Sequence, residues 1–400
     1  MVKVQTTEVL NTVYFNGFGN KYEKSPIGDF LLNGNVLLDE EDNTLEETDV
    51  ITRITNETGK FVNHEYTQIV FLAGAGSSIT GLDGKKRVGR SMKELTKLIG
   101  STLKGKGMLS LKQLAELSKY EVTNPNSKEF NLEDLISRMR RAEEYIPEDK
   151  KADFNSAHSK IYETIQLATA YDYDKTLLSH DRIIKMLSDR VVAPNKLTIA
   201  TTNYDTLFEE AATNQGFSIM DGFTFDSNPR FDADNFEWNL VKDIPNLATA
   251  ELEYKKQVIN LIKLHGSLTW ERKDSGVCRR GKDKVVNPLM IFPSSEKYMQ
   301  SYLEPYFDLF SKFQELINRP NTLLIVNGFS FGDEHISQMV HHAIMHNGGL
   351  AVMISDYNIT TQSSEGWKSI EDLMNARYPV IFVKSNLNDL SNYLGGSNEY

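Results

Sequence analysis

Residues 68–78 read QIVFLAGAGSS, in which the short apolar run Gln68–Ala73 continues into the turn Gly74-Ala75-Gly76-Ser77-Ser78. The run has the length and apolar content of a buried strand, and the closely spaced glycines end it sharply. In α/β folds a strand that leads into such a turn commonly binds a phosphate. Glycine lets the backbone come close to the anion, and the N–H groups of the turn point at it. A tight strand–helix turn without a ligand is the alternative.

Two familiar phosphate-binding motifs do not fit this turn. Gly76 and Gly81 have the spacing of a P-loop, but Leu82-Asp83 follow where that motif requires Lys-Ser/Thr. A dinucleotide fingerprint requires a third glycine where Ile79 stands. Its acidic residue would be Glu94, which lies in a helical pattern and not at a strand end. The sequence therefore disfavours an ordinary dehydrogenase.

Similar apolar runs recur after residue 66, each followed by a polar or glycine-rich turn and then by a helical pattern. They are Gln68–Ala73, Leu197–Thr201, Val258–Leu264, Leu289–Phe292, Thr322–Val326, Leu350–Ile354 and Val380–Val383. Apolar residues on both faces suit buried parallel strands. Strands that alternate with helices predict an α/β fold with a Rossmann-like, doubly wound, mostly parallel sheet. Residues 92–195 hold few strand candidates, and we predict a helical insertion there, in which Asn131 begins one helix.

The chain divides into three predicted segments. We predict that residues 1–65 form a separate N-terminal leader, which is a candidate for oligomerisation. Its seven acidic residues within positions 39–49 predict a solvated face or loop. Residues 66–390 form the main domain, including the insertion, and residues 391–400 form a frayed tail.

The composition restricts the class of protein. The 400 residues include 55 acidic and 44 basic side chains, a net charge of −11, which disfavours nonspecific DNA binding by the whole surface. The basic stretch from Lys85 to Lys93 is either solvated or a contact for nucleic acid or a partner. No segment approaches the ~20 apolar residues of a membrane span, and the N-terminus has no secretory signal. A single cysteine, Cys278, excludes an internal disulfide and a cysteine-built zinc site. We expect a cytoplasmic protein.

Polar residues follow several predicted strands at the point where each strand ends. Asn203 comes after LTIAT, His265 after VINLIKL, and Asp356 after a third such run. Residues 327–333, NGFSFGD, supply a further glycine turn after a strand. Open α/β sheets bind ligands at the carboxyl ends of their strands, and we therefore expect these residues to meet at one site. For each residue alone, a helix cap or another structural role is the alternative.

The ordered set GAGSS, TTNYD, KLHGS, GFSFGD and a strand ending in Asp resembles the sirtuin-type NAD-binding fold over residues 66–390. It resembles most closely the sirtuin-like NADases of bacterial antiphage defence. The resemblance implies NAD as the ligand and assigns each matching position. Gly74, Ala75, Gly76, Ser77 and Ser78 would hold the pyrophosphate, Asn203 and Asp205 the nicotinamide ribose and carboxamide, with Thr202 beside them, Gly328 and Ser330 the adenosine half, and Asp356 its ribose. His265 would be the catalytic histidine.

Several features depart from the sirtuins that deacylate lysine. Those enzymes carry a four-cysteine zinc module after His-Gly and a Phe-Gly-Glu segment in the acyl-lysine channel. This chain has one cysteine, and Ile291-Phe-Pro-Ser-Ser295 follows instead. Thr202 replaces their Gln, and Arg87 has the spacing of the Arg in their Asp-Phe-Arg segment without its surroundings. The resemblance therefore implies a zinc-free NAD hydrolase rather than a deacylase.

The implied reaction is hydrolysis of NAD to nicotinamide and ADP-ribose, which depletes NAD in abortive-infection defence. His265 would act as a base on a ribose hydroxyl or on water, and Asn203 would position that water. Such an enzyme requires control, and we expect a homo-oligomer. The compact size resembles that of sirtuin-like proteins that work with a HerA-type hexameric ATPase.

Three other functions stay open at this point. They are an NAD or ADP-ribose sensor, a protein deacylase and a nuclease. The chain has no dense acidic metal cluster of the kind that two-metal nucleases require. We expect no bound metal, and a site built from Asp333-Glu334-His335 with His341-His342 is the alternative.

Overall fold

The computed structural model describes residues 10–80, 88–105, 108–127, 129–244, 252–274, 276–285, 287–291, 304–360 and 364–395. The strands are β1 (Asn11–Asn16), β2 (Lys21–Lys24), β3 (Phe30–Leu32), β4 (Asn35–Val36), β5 (Gln68–Ala73), β6 (Leu197–Thr201), β7 (Ser218–Met220), β8 (Val241–Asp243), β9 (Leu252–Tyr254), β10 (Val258–Lys263), β11 (Gly266–Ser267), β12 (Trp270–Lys273), β13 (Gly276–Arg279), β14 (Leu289–Met290), β15 (Thr322–Asn327), β16 (Leu350–Asp356) and β17 (Val380–Lys384). The α-helices are α1 (Glu47–Val62), α2 (Met92–Thr102), α3 (Leu111–Leu117), α4 (Leu132–Ala142), α5 (Glu148–Thr169), α6 (His180–Ser188), α7 (Leu207–Asn214), α8 (Tyr306–Asn318), α9 (Glu334–His346), α10 (Glu365–Asn375) and α11 (Leu387–Leu390).

One sheet of eleven strands organises the fold, in the order β4-β3-β2-β1-β17-β16-β15-β5-β6-β10-β7. The strands from β17 to β7 all pair in parallel. The strands β1 to β4 extend the β17 edge by antiparallel pairing. The prediction of a Rossmann-like, mostly parallel sheet is confirmed.

Helices cover both faces of the sheet. Successive side chains of each central strand point to opposite faces, and the side chains on each face pack into a separate core. In β5, Val70 and Leu72 pack into a core with α8, α9 and α10. Ile69 and Phe71 pack into the opposite core, with α1, α6 and α7. Apolar residues on both faces of the strand therefore produce the doubly wound arrangement.

The segment between β5 and β6 is helical, as predicted for residues 92–195. Asn131 is the N-cap of α4, because its Oδ1 atom accepts a hydrogen bond of 2.9 Å from the N–H of Glu133. The helices α2 to α5 share a third core, which Leu268, directly after β11, and Met290, in β14, also join. The insertion is therefore packed against the chain that follows the carboxyl end of β10. None of the described helices is both long and apolar enough to span a bilayer.

The described part of the predicted leader is built into the fold. The strand β1 pairs with β17, and Tyr14 in β1 is buried in the same core as α1. The seven acidic residues of positions 39–49 are exposed, as predicted for a solvated face. The segment boundaries at residues 65 and 390 stay a prediction.

One predicted strand is wrong in its placement. Leu289–Phe292 was expected in the parallel sheet, but β14 pairs antiparallel with β11 in a separate two-stranded ribbon. Gly266 causes this change of direction, since its φ of +88° turns the chain directly after His265. Phe292 lies outside the described residues, as do Pro293–Ser295. The edge strand β7 was not predicted, because three residues carry too short a pattern.

Candidate active site at the carboxyl edge of the sheet

A cavity of about 850 Å³ lies at the carboxyl ends of the parallel strands, beneath the helical insertion. Its volume is within the usual range for a small-molecule or cofactor site. Eight of the predicted site residues line it: Ala75, Ser78, Thr202, Asn203, Asp205, His265, Gly328 and Ser330. The strand ends therefore converge as the sequence predicts.

A second cavity of about 190 Å³ adjoins the first. Gly328 lines both cavities, so that they meet at the turn after β15. Gly76 and Asp356 line the smaller one. Two predicted residues, Gly74 and Ser77, are not among the residues that line either cavity. Gly74 and Ser77 instead hold the turn itself, since the Ser77 hydroxyl donates a hydrogen bond of 2.6 Å to the carbonyl oxygen of Gly74.

The two glycine turns pack directly on each other. The N–H of Gly76 donates a hydrogen bond of 2.9 Å to the carbonyl oxygen of Gly328. A Cβ atom on Gly76 would lie 2.6 Å from the Cα of Gly328, and a Cβ on Gly74 would lie 2.6 Å from the Cα of Phe329. Such distances are far shorter than van der Waals contact. The main reason for glycine at positions 74 and 76 is therefore their close contact with the turn after β15.

Asn203 connects the end of β6 to the first glycine turn. Its Nδ2 atom donates hydrogen bonds of 2.9 Å to the carbonyl oxygen of Gly74 and to the hydroxyl of Ser78. A carbonyl oxygen can only accept, and this fixes which side of the Asn203 carboxamide carries nitrogen. The Oδ1 atom is then the side of the amide available to a ligand in the cavity.

Behind Asn203 lies a buried polar network. The hydroxyl of Ser78 donates a hydrogen bond of 2.7 Å to Oδ2 of Asp205. Burial raises the pKa of Asp205, while nearby Lys263 and the bond from Ser78 lower it. The ammonium of Lys263 is itself buried and donates to the backbone carbonyl of Asp205 and, at 2.9 Å, to Glu209. Burial also raises the pKa of Glu209, and Lys263 opposes that shift. One internal cation therefore supports the turn that carries Asn203.

His265 makes a contact that was not predicted from the sequence. Its Nε2 atom lies 2.9 Å from Oδ2 of Asp333, and the two side chains are only 3% and 4% exposed. The other carboxylate oxygen of Asp333 caps α9, accepting from the N–H groups of His335 at 3.1 Å and Ile336 at 3.3 Å. An Asp directly before a helical pattern, as in GFSFGD, is the signal that could have identified the cap. No local signal predicts its partner, because His265 and Asp333 are 68 residues apart.

The insertion and the residues just before it supply a further wall of the cavity that the sequence did not predict. Arg90, Tyr171 and the first turn of α4 with Glu133 line it. Arg90 donates a hydrogen bond of 2.7 Å to the carbonyl oxygen of Ala168 and thus ties the chain after the first glycine turn to the end of α5. Burial raises the pKa of Tyr171, and Asp205 raises it further. Of the predicted basic stretch, Lys85, Lys86 and Arg87 lie outside the described residues.

Metal-ligand residues do not cluster within the described ranges. No three His, Cys, Asp or Glu side chains there converge on a point that could hold a metal ion. Asp333, one member of the metal site considered as an alternative, contacts His265. Cys278 is buried as a free thiol.

Comparison with known proteins shows a similarity to one family model over part of the chain. No curated protein matches the sequence. Residues 197–383 match the model of the SIR2-like domain. The matched part contains Asn203, His265, Gly328 and Asp356 but begins after the first glycine turn. This match supports a sirtuin-like family for the chain and, at the level of that family, an activity that uses NAD.

Proposed function

We propose that the protein is an NAD glycohydrolase that cleaves NAD to nicotinamide and ADP-ribose. The observation that carries the proposal is that Asn203 and His265, from two neighbouring strands, line one cavity with a glycine turn at its floor. The adjoining cavities match a ligand with two halves. In this arrangement the nicotinamide ribose lies in the larger cavity, beside His265, and the adenosine half in the smaller cavity, beside Asp356.

The chemistry requires little from the protein in the way of acid catalysis. The pyridinium of NAD leaves as neutral nicotinamide, so that its departure requires no proton, unlike that of an ordinary glycoside. What remains is to hold the ribose, to stabilise an oxocarbenium-like transition state and to deliver water. His265 serves as the base, because an imidazole titrates near neutral pH. The Oδ1 atom of Asn203 accepts a hydrogen bond from the water or from a ribose hydroxyl.

The biological role that fits this activity is depletion of NAD in antiphage defence. An enzyme that destroys NAD must be held inactive until infection. We propose that a homo-oligomer and a partner, a HerA-type hexameric ATPase, provide that control in the cytoplasm. Zinc has no role in the proposed reaction.

The test is incubation of the purified protein with NAD, followed by chromatography of nicotinamide and ADP-ribose. His265→Ala and Asn203→Ala should each abolish turnover while the protein remains folded. The matched control is His346→Ala, since His346 is exposed on α9 and does not line the cavity. Full activity in either of the first two variants would refute the assignment. The assay should be repeated with the candidate ATPase, so that an enzyme awaiting its activator is recognised.

The cavity also supports a second function, an NAD or ADP-ribose sensor. Its polar lining would bind the dinucleotide equally well without hydrolysis. Calorimetric binding of NAD by the wild-type protein, with no nicotinamide released even beside the ATPase, would favour the sensor. Release of O-acetyl-ADP-ribose from NAD and an acetyl-lysine peptide would instead favour a deacylase.

A further inference from the structure

We propose that Asp333 is a positioning residue, which holds His265 in the tautomer that carries its proton on Nε2. The inference rests on the proposed function for its chemical consequence, but its geometric part stands without it. The two side chains meet at 2.9 Å in a site where both are almost completely buried. A hydrogen bond to a carboxylate under such burial is strong and costly to break.

The first step concerns the charge of Asp333. Its Oδ1 atom accepts two backbone N–H groups at the beginning of α9. Helix N-termini favour anions, and hydrogen bonds from backbone N–H groups favour the ionised form of a carboxyl group. Asp333 is therefore a carboxylate, and a carboxylate can only accept hydrogen bonds.

The second step concerns the imidazole. If Oδ2 of Asp333 accepts, then Nε2 of His265 must carry the hydrogen atom. In the neutral ring the lone pair is then on Nδ1, which becomes the basic atom. The carboxylate thus decides which nitrogen can take a proton, in the way that the buried aspartate of a Ser-His-Asp triad decides it for the catalytic histidine.

The third step is the proposed reaction. The C1′–N bond of NAD breaks, and its electron pair leaves with neutral nicotinamide. The oxygen of water bonds to C1′, one proton of that water passes to Nδ1 of His265, and solvent later takes it away. The ring is an imidazolium in between, and Asp333 stabilises that cation from the opposite nitrogen. The charge balances, since NAD and water give ADP-ribose, nicotinamide and one proton.

A substitution exists that separates this role from the capping of α9. Asn is as good an N-cap as Asp, because its side-chain oxygen accepts the same backbone N–H groups. Asp333→Asn therefore keeps the helix but replaces the carboxylate near Nε2 with a neutral amide. The full-length variant should lower kcat for NAD hydrolysis by about 100-fold or more and leave KM within about threefold, as expected for the loss of an oriented base.

The matched control is Asp232→Asn. Asp232 is also an N-cap, of the short 3-10 helix Ala233–Phe236, where it accepts a hydrogen bond of 3.1 Å from the N–H of Asp234, and it does not line the cavity. This variant should keep kcat within about twofold of the wild type, since it loses no group at the site. If Asp333→Asn keeps kcat within about threefold, the positioning role is refuted.

A second measurement reads the tautomer directly and does not depend on turnover. Nitrogen-15 NMR of histidine-labelled protein distinguishes protonated from unprotonated ring nitrogens, and the His265→Gln variant identifies the His265 signal. We expect the proton on Nε2 in the wild type and its loss from that nitrogen in Asp333→Asn. A wild-type ring protonated on Nδ1 alone would overturn the inference. If the wild type does not hydrolyse NAD even with the candidate ATPase present, the proposed function fails, and the protonated nitrogen of His265 still tests this inference.

Discussion

The side-chain amide of Asn203 donates a hydrogen bond of 2.9 Å to the carbonyl oxygen of Gly74. This bond joins the turn after β6 to the turn after β5, two strands that are neighbours in the sheet. It also determines which end of the carboxamide is available to a ligand, because the Gly74 carbonyl cannot donate. One residue therefore holds the glycine turn and presents an acceptor to the cavity.

This double role predicts an unusual order of stability among variants of Asn203. Asn203→Ala removes two donated hydrogen bonds and should lower the free energy of unfolding by about 1–2 kcal/mol. Asn203→Asp keeps the shape of the side chain but places a carboxylate oxygen against the carbonyl oxygen of Gly74. This variant should lower the free energy of unfolding by about 3 kcal/mol near neutral pH. The isosteric variant should thus be the less stable one. Urea unfolding followed by circular dichroism measures both.

Asn318 provides the control for this order. Its exposed amide also donates to a carbonyl oxygen, that of Gln314, at 2.8 Å. Asn318→Ala and Asn318→Asp should each change the free energy of unfolding by less than about 0.5 kcal/mol, since water replaces the lost hydrogen bond. Equal stabilities of Asn203→Ala and Asn203→Asp would contradict the amide orientation described above.

Gly328 is the second position for which the structure makes a sharp prediction. Its φ is +62°, and an added Cβ would lie 2.5 Å from the carbonyl carbon of Gly76. Gly328→Ala should therefore separate the two glycine turns, lower the free energy of unfolding by more than about 2 kcal/mol and weaken dinucleotide binding. Gly348→Ala is the matched control, since nothing lies within 4 Å of a Cβ there. Comparable melting temperatures for the two alanine variants would show that the turns are not in close contact.

The sequence predicted the parts of this site that depend on local pattern. Apolar runs predicted β5, β6 and β10, and the polar residues after each run, such as Asn203 and His265, do line one cavity. The contact between His265 and Asp333 was not predictable in this way, because nothing near either residue identifies the other. The same holds for the wall supplied by Arg90 and α4, which depends on how the helical insertion packs over the sheet. Contacts distant along the chain leave no periodic signal in a single sequence.

Lys263 is the third test, because it is the buried cation behind the site. Its side chain is 2% exposed and pairs at 2.9 Å with Glu209. Lys263→Met leaves the Glu209 carboxylate without its counter-ion, and should lower the free energy of unfolding by about 3 kcal/mol. Adding Glu209→Gln should recover more than about 1 kcal/mol of that free energy, since the charge left without a counter-ion is removed. Chemical denaturation of the two single variants and the double variant measures this coupling.

A nearby lysine serves as the control for that series. Lys255 precedes β10, is exposed and contacts the hydroxyl of Ser218 at 2.7 Å. Lys255→Met should change the free energy of unfolding by less than about 0.5 kcal/mol, as is usual for an exposed position. If Lys263→Met were as mild as Lys255→Met, or if Glu209→Gln gave no recovery, the ion pair of Lys263 with Glu209 would not support the site.

His180 is a buried histidine that takes no part in the proposed reaction. It begins α6, is completely buried and packs against the ring of Phe208 with centroids 4.7 Å apart. Neither ring nitrogen has a hydrogen-bond partner within the described part of the chain. Burial lowers the pKa of His180 from 6.5 to about 3. The folded protein therefore keeps this ring neutral over a range in which the unfolded chain protonates it.

The consequence is a stability that decreases in acid. Below pH 6.5 the unfolded state binds a proton at His180 that the folded state does not bind until about pH 3, so that unfolding becomes more favourable as the pH falls through that window. Lowering the pH from 8 to 5 should reduce the free energy of unfolding by about 2 kcal/mol through this residue alone. Leucine is similar to histidine in volume and cannot titrate. Between pH 8 and pH 5 the His180→Leu variant should therefore lose about 2 kcal/mol less of its free energy of unfolding than the wild type does. The exposed His64→Leu serves as the control, because that ring is in water in both states. If urea unfolding at the two pH values gave equal losses for the wild type and His180→Leu, His180 would not be the source of the acid sensitivity.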